Sequence, residues 1–177
     1  MAKGKKLNYK EMKELLRNFD RMNTVMKEEM ASQNNMSVSE LKNVLERNCY
    51  ALCNLGINQM KALRKDITSM SVEDKKVVER VNRRTIVEII GILDTEINEY
   101  EENMKKQRAF NKAWKIRQAE IQQQLIDEGI DKVGAYGCLN INFMEHQKRM
   151  AEAQVELAKE IGLHFTKYDP FIGVIEA

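Results

Sequence analysis

Proline is almost absent from this chain: among 177 residues there is one, Pro170. Proline costs about 3 kcal/mol inside a helix, and ordinary globular chains carry it at about 5% of positions. Its absence from everything before the last few residues, with only eight glycines, excludes a turn-rich β architecture. Long apolar runs are lacking too. The greasiest stretch, Ile86 to Leu93, is interrupted by Glu88 and falls well short of the ~20 residues of a membrane span. The basic start with Lys3, Lys5 and Lys6 is followed by Leu7, Asn8, Tyr9, Lys10 and Glu11, which supply no apolar core for an export signal. Three cysteines, an odd number, fit reduced thiols better than a disulfide framework. The expected location is therefore the cytosol or a particle assembled there. Charge of one sign is also missing in bulk, since 29 Lys and Arg face 27 Asp and Glu for a net +2. Any function that works through charge has to be local.

What is present is helix-forming material, rich in Lys, Glu, Leu, Met, Gln and Ala. The pattern predicts an all-α fold, an elongated helical bundle spanning 1–162 with a C-terminal tail over 163–177. A first helix is expected from Asn8 to Ser32, because Met12, Leu15, Phe19, Met22, Met26 and Met30 recur every three or four residues. Asn34 and Asn35 close it. Ser37 with Glu40 reads as a capping box opening the next helix, and Ser71-Val72-Glu73-Asp74 offers a further start. Gly56 either ends a helix or weakens a long one. From about 72 to 128 only Gly91 interrupts the helical pattern, and a single helix of that length would outrun a compact domain. Ile86, Ile90, Leu93, Ile97, Tyr100 and Met104 share one stripe, whereas Phe110, Trp114, Ile121 and Leu125 follow a shifted phase. A kink, stutter or turn between Met104 and Phe110 accounts for the slip. The apolar residues around Ile86 to Leu93 nearly encircle the helix, which predicts burial on more than one side. Gly129, Gly134 and Gly137 mark a connection, Asn142 with Glu145 can cap a last helix, and Gly162 stops it.

Motifs that carry chemistry are scarce. Cys49 and Cys53 lie four apart, one helical turn, but the spacing with Cys138, His146 and His164 matches no zinc pattern. The Glu-x-x-His pairs of di-iron bundles are absent, since Phe143 and Ile161 occupy the positions before the two histidines. The glycines at 129, 134 and 137 lack the Lys-Ser/Thr of a phosphate loop. No catalytic residue, cofactor or metal ligand is assigned.

Charge layout is the sharper signal. Asp94 to Glu102 holds five acids and no base, Lys105 to Arg117 six bases and no acid, and Glu120, Asp127, Glu128 and Asp131 follow without a base among them. On a helix Lys105, Arg108, Lys112 and Lys115 fall on one face, with Trp114 and Phe110 available for stacking. The tail gathers Phe165, Tyr168, Phe171, Ile172, Val174 and Ile175, a set that needs cover from its own bundle or from a neighbour. These features predict a non-enzymatic helical subunit that binds protein, either copies of itself or a distinct scaffold, without a membrane. Virus particles contain many such subunits, an analogy of class only. The alternative is a nucleic-acid-binding protein using 105–117 and the N-terminal lysines Lys3, Lys5, Lys6, Lys10 and Lys13.

Overall fold

A computed structural model describes residues 7–134 and 139–164 and the backbone of 166–169 and 173–176; the side chains of 133, 139, 140 and those last two segments lie outside it. The fold is helical, as the proline-poor sequence predicts. In chain order come α1 (Tyr9–Arg21), α2 (Thr24–Gln33), α3 (Val38–Tyr50), a short 3-10 turn (Leu52–Asn54), α4 (Ile57–Ile67), α5 (Val72–Asn82), the long α6 (Ile86–Asp127) and α7 (Phe143–Ile161). Two short antiparallel hairpins accompany them. One joins β1 (Lys132–Val133) to β2 (Leu139–Asn140), and the other pairs β3 (Thr166–Asp169) with β4 (Gly173–Glu176) in the tail. The chain divides into two compact units, Met1–Tyr100 and Glu101–Ala177.

In the first unit the helix starts are written in side chains. Asn8 with Glu11 and Ser37 with Glu40 form capping boxes, while Asn23 and Ser71 accept from the amides of Met26 and Asp74. Asn23 corrects the expectation of one helix from Asn8 to Ser32. Its side chain satisfies a free amide and Met22 turns extended, so the chain restarts as α2. Met26, placed on the stripe by spacing, is half exposed, while Phe19, Ala31 and Leu41 close a small core between α1, α2 and α3. Gly56 stands at the N-terminus of α4, after α3 has already ended.

The main core of this unit comes from α1, α3, α4, α5 and the start of α6. Cys49, Leu63, Ile67, Val78, Ile89 and Leu93 are sealed from solvent, with Ile86, Ile90 and Ile97 packed on the margin. Val87 is 75% exposed, so this part of α6 is buried on one side rather than encircled. The Asn82 side chain ties the helix ends together. Its amide nitrogen donates to the carbonyls of Tyr50 and Val78 at 2.9 Å each, and its oxygen accepts from Leu52 N at 3.0 Å. Arg83 then adopts φ 53°, and Thr85 with Glu88 forms the capping box that opens α6. The interruption in 72–128 therefore falls at 83–85. Between Met104 and Phe110 the helix is continuous; the slip in phase marks a change of packing partner, because Phe110 onward serves the second unit.

In the second unit α6 and α7 form an antiparallel pair. Phe110 packs with Leu157, Ala158 and Leu163, and Ile121 with Leu125 against Ala153 and Met150. Trp114 borders both clusters. Gly129 and Gly162 take positive φ at the two helix ends, a conformation glycine adopts without steric penalty. Replacing Leu93 with Ala is expected to cost about 2–5 kcal/mol of unfolding free energy, the range for removing a sealed leucine. Urea denaturation followed by circular dichroism measures it, and a loss under about half a kcal/mol would contradict this core.

Candidate functional site

Lys105, Arg108, Lys112 and Lys115 all lie on α6 and all are exposed. At 100° per residue they occupy one side of the helix, roughly opposite Phe110, Trp114, Ile121 and Leu125, which face α7. None of the four forms an ion pair among the described residues. The bases beside them do: Lys106 meets Glu102 at 3.2 Å, and Arg117 lies 3.7 Å from Glu120 and 3.9 Å from Glu156. Ile116 stands 59% exposed beside this row. The acids flanking the stripe are largely engaged. Asp94 accepts two hydrogen bonds from Arg64, at 2.7 and 3.1 Å, and these hold its carboxyl below the usual range. Glu128 pairs with Arg149 at 2.9 Å. The stripe is consequently less countered by its flanks than the linear sequence suggests.

Trp114 does not belong to this face. It stacks on Phe110 with centroids 6.3 Å apart and planes 11° from parallel, within the packing against α7. Phe110 is buried. The pair is spent on the core rather than offered for stacking on bases.

The connection between α6 and α7 holds a feature that spacing did not reveal. Asp131 is buried and accepts from Gln122 Nε2 at 2.9 Å and from the Asn142 amide at 2.9 Å, with His146 Nδ1 at 2.8 Å. Burial pushes its carboxyl up, but His146, the Asn142 amide and Gln122 together bring it below the ordinary value. Asn142 precedes α7 without a side-chain cap, and Glu145 pairs with Arg149 instead. His146 thus has a structural occupation. Among the described residues no three His, Cys, Asp or Glu side chains are grouped to hold a metal. Cys49 is buried in α3 while Cys53 is exposed beyond the end of that helix, so the two thiols do not share a helical face. Burial pushes the Cys49 thiol up to about 12.

Of the tail residues, Phe165, Phe171 and Ile172 lie outside the described residues. Tyr168, Val174 and Ile175 are placed by backbone alone: Tyr168 pairs with Val174, and Lys167 with Ile175. Strand β4 lies beside α7.

A second basic surface occurs in the first unit. Lys10, Lys13, Arg17 and Arg21 of α1 face Lys65 of α4 across a cavity of about 900 Å³. The sequence reading included Lys10 and Lys13 but did not join them to Arg17, Arg21 or Lys65. The three- and four-residue steps along α1 carried that signal; the contribution of α4 required the fold.

No protein-family model matches this chain, and neither the curated proteins nor the solved structures contain a match. Among the described residues no helix is long and apolar enough to cross a membrane.

Two outcomes test this geometry. Thiol reagents under native conditions are expected to modify Cys53 well before Cys49, as read by peptide mass spectrometry. Replacing Asp131 with Ala, which strips partners from His146, Gln122 and the Asn142 amide, is expected to destabilise the second unit by about 1–3 kcal/mol. Because the folded carboxyl is held low, its contribution is present above the unfolded value near 3.8 and lost as pH falls through the folded one. Protection of the Asn142 amide against hydrogen exchange, taken relative to its intrinsic rate at each pH, should therefore fall in the variant at neutral pH and in the parent protein only in acid.

Proposed function

We propose that this chain is a non-enzymatic helical subunit that binds another protein through the outward side of α6 in its second unit. The observation that carries this reading is the exposed Ile116 set beside Lys105, Arg108, Lys112 and Lys115, four bases with no ion-pair partner among the described residues. A mixed basic and apolar helix face suits an acidic amphipathic helix, whose carboxylates fix register while its apolar side chains bury area. The partner is a further copy of this chain or a scaffold subunit. Nucleic acid fits the face less well, because the two rings that would stack on bases point into the α6–α7 packing.

Reversing the charge of all four bases to Glu is expected to abolish association while leaving the helical circular dichroism unchanged. Native mass spectrometry of the parent protein should give species heavier than the 20.6 kDa chain, alone or with a co-purified protein. The variant should give the single chain. A parent protein that stays monomeric and partnerless, yet binds random oligonucleotides through these bases with steep salt dependence, would overturn this reading.

A further inference from the structure

The trough between α1 and α4 holds bases that the first unit does not use internally, and we propose that it binds the phosphate backbone of single-stranded nucleic acid. Its five bases, Lys10, Lys13, Arg17, Arg21 and Lys65, face two acids, Glu14 and Asp66. Asp66 is already occupied. It accepts the Tyr9 hydroxyl at 2.8 Å and forms an ion pair with Lys13. Lys10, Arg17, Arg21 and Lys65 are exposed and form no ion pair among the described residues, leaving four bases against Glu14. This surface is separate from the α6 face, and the proposal does not depend on that reading.

The arrangement selects the class of ligand. On α1 the bases recur at about one per turn, some 5.4 Å apart, and from Lys10 to Arg21 they cover about 16 Å. They form a row and do not converge on one point, which suits a polymer with regularly repeated charge better than a small anion. An extended acidic peptide turns successive side chains to opposite sides, so half its charges would leave this wall; a nucleic-acid strand carries a phosphate at every unit. Lys65 stands on the α4 side of the trough and Lys10, Arg17 and Arg21 on the α1 side, so one strand lying along it meets bases from both walls, whereas a duplex would bring its second backbone no partner there. The guanidinium groups of Arg17 and Arg21 can each meet two phosphate oxygens. Tyr9 is buried with its hydroxyl engaged, so no ring is offered to the bases. Thr68 and Ser69 donate to the carbonyls of Lys65 and Asp66. Recognition therefore rests on charge and is independent of sequence.

The test uses the full chain and a short fluorescent oligothymidylate, with anisotropy read across a salt series. At about 0.7 released counterions per phosphate contacted on a single strand, four free bases give a logarithmic salt slope near −3. The K10E/R17E/R21E/K65E variant should lose at least about tenfold in affinity and most of that slope. A milder R17Q/R21Q variant, with circular dichroism confirming its fold, should lower the slope by about 1.4. Charge reversal at Lys105, Arg108, Lys112 and Lys115 should leave oligothymidylate binding unchanged, which separates this site from the α6 face. Failure of the parent protein to bind would overturn the proposal, as would affinity untouched by the α1–α4 variants. Tighter binding of duplex than of single strand, or of polyglutamate in preference to oligothymidylate, would also overturn it.

Discussion

Backbone groups left over at helix ends need partners before apolar faces can close around them, and in each unit one side chain meets that demand at the critical junction. In the first unit Asn82 satisfies the carbonyls of Tyr50 and Val78 and the amide of Leu52. This joins the end of α3 to the end of α5 and lets Cys49, Val78, Ile89 and Leu93 share one core. In the second unit Asp131 does the equivalent work between α6 and α7. The apolar clusters supply most of the driving force, but these two residues determine which helix ends meet.

The charge economy follows from the same packing. A nearly neutral chain conceals an uneven distribution: pairs such as Asp66 with Lys13, Asp94 with Arg64 and Glu46 with Arg80 cancel one base with one acid, while bases without an ion-pair partner among the described residues gather along α1 and along the outer side of α6. Net charge alone would have argued against either surface. Exposed pairs such as Lys106 with Glu102 add little to stability, so the organisation matters more for what the surfaces can attract than for holding the fold.

Helix content and several boundaries were legible in the sequence because they depend on local chemistry. Ser37, Ser71, Gly129 and Gly162 act where spacing placed them. The break at Asn23 and the restart at Thr85 were equally local, as an Asn cap and a Thr-x-x-Glu box, but the apolar periodicity ran across the first and the long helical pattern across the second. Periodicity does not reveal which partner a stripe meets, and for that reason the change of phase after Met104 resembled a kink. The same limit applied to sites. Lys105 to Lys115 were visible because one helix carries them all, whereas the trough needed α1 and α4 together. Asp131, Gln122 and His146 meet only through the turn at the end of α6.

The sole tryptophan packs within the second unit, bordering both of its apolar clusters, while the first unit carries Tyr9 and Tyr50 in its core. Indole emission is thereby a native optical label for one unit alone. Far-ultraviolet dichroism sums the helices of both. Comparing the two signals during a single denaturation distinguishes a chain that melts as one cooperative body from one whose halves open independently, without introducing any probe into the protein.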